Sequence, residues 1–326
     1  MLPFVVFTRF NVGVSSRTWL KRKLELFRST VFSSLAGQSD RNFQWVIGID
    51  FAMPDDVRSE LDAMLAPHSN FHAVVIDPGA VSSMRHASIS WLQEQGLNHL
   101  FARGVITDPC AFAITAIIDD DDAWNTHTVA LVRDVMKGFL SESDPDAPRG
   151  FLLTHTPGWA LTLPKGICFE THSGRAVVQN IPFHSMTVFV LTRLSSEITA
   201  CSSRHASWPD FAKTVQFETH VCDTDEPMWV YTRHGDTMSV GKGIGSRVQV
   251  LPNVAELLRE RYAMDAAALM LDAEVATREQ GEDRRPHQQL DAMYRIAAYN
   301  RQIRALQSHM SDDPAREAAL REAMAE

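Results

Sequence analysis

The chain has 326 residues, of which 45% are hydrophobic and 22% charged, so it can build a sizeable core and is not globally disordered. Its formal net charge of −9 argues against a nucleic acid partner held by general electrostatic attraction. The four cysteines are far apart and show no CxxC spacing, so neither a zinc knuckle nor a compact disulfide framework is indicated.

The N-terminal apolar run PFVVF is too short for a signal peptide or a membrane span. No other segment approaches about 20 uninterrupted apolar residues. These features predict a soluble, cytoplasmic protein with reduced thiols, and any membrane contact is expected to be peripheral.

The first 140 residues alternate between strand-like and helix-like patterns, which is typical of stacked βαβ units. Parallel strands joined by helices should form a right-handed sheet that is covered on both faces. The predicted strands are 4–8, 45–50, 71–77 and a fourth that ends at residue 118, and the predicted helices are 17–35, 54–65, 83–95 and 129–140.

The second half of the chain is β-rich at first and helical at its end. A hairpin is predicted to turn at Ser173 and Gly174, and further strands are predicted at 187–192 and 228–233. Helices are predicted at 254–279, at 288–309 and after Asp313. We therefore expect a main domain at 1–250 and a C-terminal helical extension at 251–326, which packs on that domain or, in a homo-oligomer, on a sister subunit.

Four consecutive aspartates, Asp119 to Asp122, follow the apolar strand in the segment ITAIIDDDDAWN. Carboxylates about 4 Å apart repel by about 4 kcal/mol at an effective dielectric of 20, so a cation should lie among them if they converge on a cleft. Hard divalent cations bind carboxylate oxygens. The alternative is a solvated turn that caps the next helix at Thr126 or Thr128. The preceding strand favours a ligand site, because open α/β sheets bind ligands at their carboxyl edge.

Several segments in the right order resemble a GT-A glycosyltransferase of the family 2 kind and, more narrowly, a bacterial rhamnosyltransferase family. They are FVVFTRFN, FSSLAGQSDRNFQWVIGID, SSMRHASISWL and IIDDDDAW between residues 4 and 124, with PMWVYTRHGDTMS in the second half. The resemblance implies an α/β fold of GT-A type with a mostly parallel central sheet and flanking helices. It also implies metal-dependent, inverting transfer of a hexose or deoxyhexose, such as rhamnose, from a nucleotide-diphosphate donor to a glycan acceptor in polysaccharide biosynthesis.

The resemblance places Asp119 and Asp121 at the DxD positions. Asp121, Asp122 and His234 would then hold Mn²⁺ or Mg²⁺, since carboxylate and imidazole suit such ions. Asp120 is expected to point the other way, because side chains alternate in extended backbone. The residues expected to bind the donor are Thr8, Arg9, Asp50, Arg85 and Asp119.

Each of these assignments has an alternative. Asp50 could instead cap the helix that starts near Pro54, His234 could be structural, and Arg85 could be a solvated surface residue. A clear ED motif for the catalytic base is missing. Asp210 is our first assignment, because WPDF would place it at the start of a helix, and the alternatives are Glu218, Asp223 and Asp225.

Two other classes of function compete with glycosyl transfer. A phosphohydrolase of the DxDx[TV] type would use an aspartate nucleophile, but the run DDDDA lacks the Thr or Val. A binding module that keeps the fold without turnover is the second alternative. The intact DxD carboxylates argue against such a module, whereas the missing ED motif favours it.

Overall fold

The computed structural model describes residues 2–11, 17–50, 53–76, 89–141, 157–184, 186–196, 198–203, 207–234, 250–266 and 268–269. Seven strands of these residues form one sheet, in which β9 (Val188–Arg193), the third strand from one edge, is antiparallel to both of its neighbours and the other pairs are parallel. This mostly parallel sheet confirms the predicted α/β fold class. From edge to edge it contains β10 (Glu218–Val221), β6 (Gly158–Thr162), β9 (Val188–Arg193), β4 (Phe112–Ile117), β1 (Phe4–Phe10), β2 (Gln44–Asp50) and β3 (Phe71–Ile76).

A second, smaller sheet has four strands. It contains, in order, β5 (Ala123–Trp124), β11 (Trp229–Arg233), β7 (Lys165–Glu170) and β8 (Arg175–Asn180). The hairpin predicted at Ser173 and Gly174 is confirmed, since β7 and β8 pair antiparallel and Gly174 has a φ of 63°. Because β4 belongs to the large sheet and β5 to the small one, the aspartate run is one of the connections between the two sheets.

The helices are α1 (Arg17–Phe27), α2 (Ser33–Ala36), α3 (Asp55–Leu65), α4 (Ile89–Ala102), α5 (Thr128–Ser141), α6 (Trp208–Thr214) and α7 (Val254–Tyr262). The predicted helix 17–35 is interrupted by a π-helical turn at Arg28–Phe32, where Ser33 Oγ donates to the Arg28 carbonyl five residues back. None of the helices in the described part of the chain is long and apolar enough to cross a membrane.

The central strand β1 explains how the two faces of the large sheet are covered. Its residues alternate between two hydrophobic clusters, with Phe4 and Val6 in one and Val5 and Phe7 in the other. Helices α1, α3 and α5 contribute to the first cluster, and α4 and α6 contribute to the second. A strand that is buried on both faces needs an almost continuous apolar sequence, which FVVF supplies.

The predicted helix 254–279 ends early. Helix α7 stops at Tyr262, because Ala263 takes a left-handed conformation with a φ of 54° and residues 263–265 are not helical. The Tyr262 hydroxyl donates to the Pro227 carbonyl at 2.7 Å, and Leu258 and Tyr262 are buried against the small sheet. The remaining predicted C-terminal helices lie outside the described residues, and the division at residue 250 stays a prediction.

Two histidines, His72 and His99, lie together at the amino end of β3, away from the aspartate run. His72 on β3 is buried, contacts the Gln44 side chain at 2.8 Å and packs with its ring centroid 5.5 Å from that of His99 on α4. Burial, with smaller contributions from the positive charges of His99 and Arg103, lowers the pKa of His72 from 6.5 to about 4. The folded protein therefore disfavours the charged form of this ring.

We expect acid to destabilise the protein through His72. Between about pH 6.5 and pH 4, His72 is protonated in the unfolded chain but stays neutral in the folded protein. The free energy of unfolding should therefore fall as the pH drops through this window. The His72→Gln variant should show a shallower fall, whereas the control His220→Gln removes an exposed histidine from β10. Urea unfolding at a series of pH values measures this, and identical slopes for His72→Gln and wild type would contradict it.

Candidate functional site at the aspartate turn

The carboxyl ends of β1, β2 and β4 meet at one edge of the large sheet. The parallel register pairs Phe7 with Ile117 and Phe10 with Ile49, so the residues after Ile117 emerge beside the end of β1. We call residues Asp119 to Asp122, which follow there, the aspartate turn. Strand β5 lies between this turn and α5, so the alternative that the acidic run caps the next helix is wrong.

A lysine from α1 lies in the aspartate turn. Lys23 Nζ is 3.1 Å from Asp121 Oδ2 and 3.5 Å from Asp120 Oδ1, and its side chain is only 8% exposed. The helix presents Lys23 on its buried side, between Leu20 and Leu24, so the lysine approaches the turn from the core. A cation among the carboxylates was predicted, and this ammonium is one that the chain supplies itself.

Asp120 faces the same cluster as Asp121. Asn11, at the end of β1, donates its side-chain amide to Asp120 Oδ2 at 2.7 Å, and Trp19 Nε1 donates to Asn11 Oδ1 at 3.2 Å. The prediction that Asp120 points the other way is therefore wrong. Alternation requires extended backbone, and residues 120 and 121 form a turn instead.

Asp121 is held between two basic side chains. Its Oδ2 atom lies 2.9 Å from His234 Nε2 as well as 3.1 Å from Lys23 Nζ. His234 follows β11, which pairs with β5 just after the turn, and this pairing carries the imidazole over Asp121. The structure thus brings together Asp121 and His234, two of the residues predicted to bind the metal.

Asp122 is fully buried where the two sheets meet. Its Oδ1 accepts the Thr232 backbone N–H of β11 at 3.1 Å. Its Oδ2, like the Thr232 hydroxyl, has no hydrogen-bond partner among the described residues. A buried carboxylate oxygen without a partner is costly, so it is suited to a cation or to a bound ligand.

The electrostatics of the turn differ from one carboxyl group to the next. Burial opposes the ionisation of Asp121, but Lys23 and His234 outweigh it and hold the pKa of this group well below its usual range. Burial and the charges of the neighbouring aspartates raise the pKa of Asp120 to about 6, despite the opposing effect of Lys23. Burial, then Asp121 and Asp119, raises the pKa of Asp122 well above its usual value. Asp121 is therefore the most strongly ionised member.

Asp119 lies at the start of the turn, next to two further basic side chains. Burial and Asp121 raise the pKa of Asp119, whereas Arg9 and His184 lower it. Arg9 is partly exposed near the end of β1, and the His184 ring stacks on Trp229 at 4.9 Å between centroids. Arg9 is thus placed near Asp119, and its assignment to the nucleotide pocket stays a prediction.

Thr8 has a different role from the predicted contact with the nucleotide. Its side chain is fully buried, its hydroxyl donates to the Ile118 carbonyl at 2.9 Å, and it accepts from Trp45 Nε1 at 2.9 Å. The hydroxyl is thus already paired within the core, unlike the buried Asp122 Oδ2. The Thr8 hydrogen bond instead links β1 to Ile118, the residue that precedes the aspartate turn.

Asp50 ends β2 at the same edge and is largely buried. The alternative that it caps the following helix is wrong, because the N-cap position of α3 is occupied by Pro54. Its assignment as a contact of the nucleobase stays a prediction. Arg85 lies outside the described residues.

The contacts of Asp210 lie within its own helix and not at the aspartate turn. It lies in the first turn of α6, its side chain is 87% exposed, and its nearest charged partner is Lys213 of the same helix at 3.5 Å. No contact within the described ranges joins it to the carboxylates of the turn. Its assignment as catalytic base stays a prediction.

Lys23 and Asn11 are residues of this site that the sequence reasoning did not assign. The sequence held a signal for Lys23, because it lies three residues after Leu20 and four before Phe27, on the apolar face of the predicted helix. A lysine on such a face is rarely buried without a charged partner. Its partners in the structure are Asp120 and Asp121.

Comparison with known proteins identifies a family. A family model described as "Putative rhamnosyl transferase" matches residues 15–246, which is well over half of the chain and includes the aspartate turn. No curated protein is found to match.

The chain is also similar to several solved structures, including the following three. TarS from S. aureus, residues 1–349 in complex with UDP, has a TM-score of 0.39 and 13% identity over 98% of this chain and 83% of that chain. The galactosyltransferase LgtC, in complex with donor and acceptor sugar analogs, has a TM-score of 0.27 and 12% identity over 65% of each chain. Mouse xyloside xylosyltransferase 1 has a TM-score of 0.28 and 10% identity over 67% of this chain and 78% of that chain.

Proposed function

Because the chain belongs to the "Putative rhamnosyl transferase" family, we propose that it is a glycosyltransferase that uses a nucleotide-diphosphate sugar as donor and a glycan as acceptor. The transferred sugar is a hexose or deoxyhexose, and transfer inverts the anomeric carbon. The observation that carries this proposal is the partly buried aspartate turn at the carboxyl edge of the sheet, with a carboxylate oxygen of Asp122 left without a partner.

The donor set fits a divalent cation. Mg²⁺ and Mn²⁺ favour carboxylate oxygens, and Mg²⁺ in particular is usually bound by one or two carboxylates together with waters and the phosphates of a substrate. In the described part of the chain no three metal-binding side chains are already assembled around one point. We therefore assign Asp121 and Asp122 to the ion, with His234 beside them, and expect the diphosphate to complete the coordination.

The bond to be broken joins the sugar to a diphosphate, and negative charge builds up on the leaving oxygen. A divalent cation bound at the turn supplies a Lewis acid for that charge. The protein's own contribution is to hold Asp121 in one position through Lys23 and His234, at distances of 3.1 and 2.9 Å. Fixed charges that need no rearrangement during the reaction are the usual basis of such stabilisation.

The rest of the donor is assigned along the same edge. Arg9, beside Asp119, suits the diphosphate, because a guanidinium binds phosphate oxygens in a bidentate manner. Asp119 is assigned to the ribose or to a water on the metal. Asp50, at the end of β2, is assigned to the nucleobase.

A thermal unfolding panel tests the proposal. The protein is heated with UDP, GDP or dTDP, and with the corresponding nucleotide sugars, each with and without Mn²⁺. One diphosphate should raise the melting temperature selectively and only with Mn²⁺, because a ligand at 100 times its Kd adds about 2.7 kcal/mol of stability.

A matched variant separates the site from unspecific binding. Asp122→Asn keeps the shape of the side chain and can still accept the Thr232 N–H, but it removes the charge assigned to the metal. It should therefore lose the Mn²⁺-dependent part of the shift. A panel in which no diphosphate responds, or in which Asp122→Asn responds like wild type, would contradict the assignment.

A further inference from the structure

We propose that Lys23 is a positioning residue that takes the place of the divalent cation at Asp121, so that the metal binds tightly only together with the diphosphate. The inference rests on the proposed function, since it assumes that Asp121 is a metal ligand. It adds a role for a residue of α1 that lies outside the acidic motif. It also predicts an order of binding.

Lys23 is buried beside two carboxylates of the aspartate turn. Its side chain is 8% exposed, and its helix packs Leu20, Leu24 and Phe27 into the main core, so α1 holds the lysine beside the turn while its flexible side chain can turn the ammonium over a short distance. It lies 3.1 Å from Asp121 and 3.5 Å from Asp120. The lysine is thus built into the turn and is not a surface partner.

The Asp121 Oδ2 atom is crowded by positively charged or basic groups. Asp121 Oδ2 already has two basic neighbours, Lys23 Nζ at 3.1 Å and His234 Nε2 at 2.9 Å. A divalent cation that approaches this oxygen meets the positive charge of Lys23 at short range, where repulsion between like charges is strong. Lys23 therefore weakens the binding of the metal alone.

The diphosphate reverses the balance. Its negative oxygens attract both the metal and the Lys23 ammonium. The two positive groups then share the negative charge of the diphosphate and no longer compete for Asp121 alone. In thermodynamic terms the metal and the nucleotide are positively coupled, and each raises the affinity for the other by the same factor. Lys23 adds to this coupling because, once the diphosphate is bound, its ammonium pairs with a phosphate oxygen and repels the metal less than it does when the metal binds alone.

Lys23→Met tests the inference. With the repelling charge removed, Mn²⁺ alone should bind about 10-fold more tightly than to wild type, which is within the usual range of coupling between sites. Lys23→Arg keeps the charge and should behave like wild type. The control Lys21→Met removes a lysine of the same helix that pairs with Asp56, away from the turn.

Binding of Mn²⁺ to the full-length protein is followed by the electron paramagnetic resonance signal of the free ion, first without nucleotide and then with UDP, GDP or dTDP. The increase in Mn²⁺ affinity of Lys23→Met over wild type should be large without nucleotide and small when the nucleotide is present. If this variant does not fold, the double variant Lys23→Met with Asp120→Asn keeps the charge balance of the turn and carries the same expectation.

The outcomes separate the two proposals. If wild type binds Mn²⁺ with a diphosphate but neither Lys23→Met nor the double variant binds Mn²⁺ alone more tightly, the role of Lys23 is wrong and the metal site stands. If wild type binds no Mn²⁺ even with a diphosphate, the metal-dependent function fails and the inference fails with it.

Discussion

Replacing Asp121 by alanine should lower the rate of sugar transfer at least about 100-fold, which is the usual cost of losing one group that stabilises transition-state charge. Among the four carboxyls Asp121 is the most strongly ionised, because Lys23 and His234 outweigh the effect of burial. It is therefore the best anchor for a cation. The rate is measured as release of the nucleotide diphosphate, with the donor that the unfolding panel selects.

Stability must be measured alongside activity in this variant. Alanine leaves Lys23 with Asp120 alone and removes the acceptor of His234, which should cost about 1–3 kcal/mol of folding free energy. Asp121→Asn keeps the shape and should show the same loss of rate. The control Asp134→Ala removes an exposed carboxylate from α5, close to Lys137. A folded Asp121→Asn protein that transfers sugar at the wild-type rate would rule out the assigned role.

Replacing Gly166 by alanine should destabilise the protein by about 3 kcal/mol, at the upper end of the usual cost of overpacking. Gly166 lies on β7 beneath Trp229, and an added Cβ would overlap the indole ring. The ring cannot easily move, because it is buried, donates to the Leu163 carbonyl at 2.8 Å and stacks on His184.

The same substitution should disturb the aspartate turn. Trp229 begins β11, and the far end of that strand carries Thr232 and His234, which contact Asp122 and Asp121. Chemical denaturation and Mn²⁺ binding measure the two effects. Gly138→Ala is the matched control, since its Cβ would meet nothing within 4 Å in α5 and should add about 0.5–1 kcal/mol of stability. Equal stabilities of the two variants would refute the packing argument.

The strand ends and the aspartate turn could be predicted from the sequence because their causes are local. Runs such as FVVF, WVIGI and AII are apolar, as strands buried on both faces require, and Asp50 and Asp119 directly follow the last two. Parallel strands then place these residues at one edge of the sheet whatever the details of packing. The family resemblance rested on the same segments.

Breaks within helices were not predictable in this way. The π-helical turn at Arg28–Phe32 and the left-handed Ala263 interrupt sequences whose periodicity favours continuous helix. The first break leaves the chain helical from Arg17 to Ala36, close to the predicted length, whereas α7 ends at Tyr262, well short of residue 279. Hydrophobic periodicity indicates which face of a helix is buried, and it does not report a local change of turn or the residue at which a helix ends.

The sequence by itself determined that four carboxylates follow a central strand, because that depends on neighbours along the chain. Only the tertiary structure decided which of them is ionised most strongly. Lys23 is 98 residues from Asp121 and His234 is 113 residues away, and both reach it through the packing of α1 and the pairing of β11. The charge on a buried carboxyl depends on what lies within a few ångströms in space, and separation along the chain carries little information about that distance.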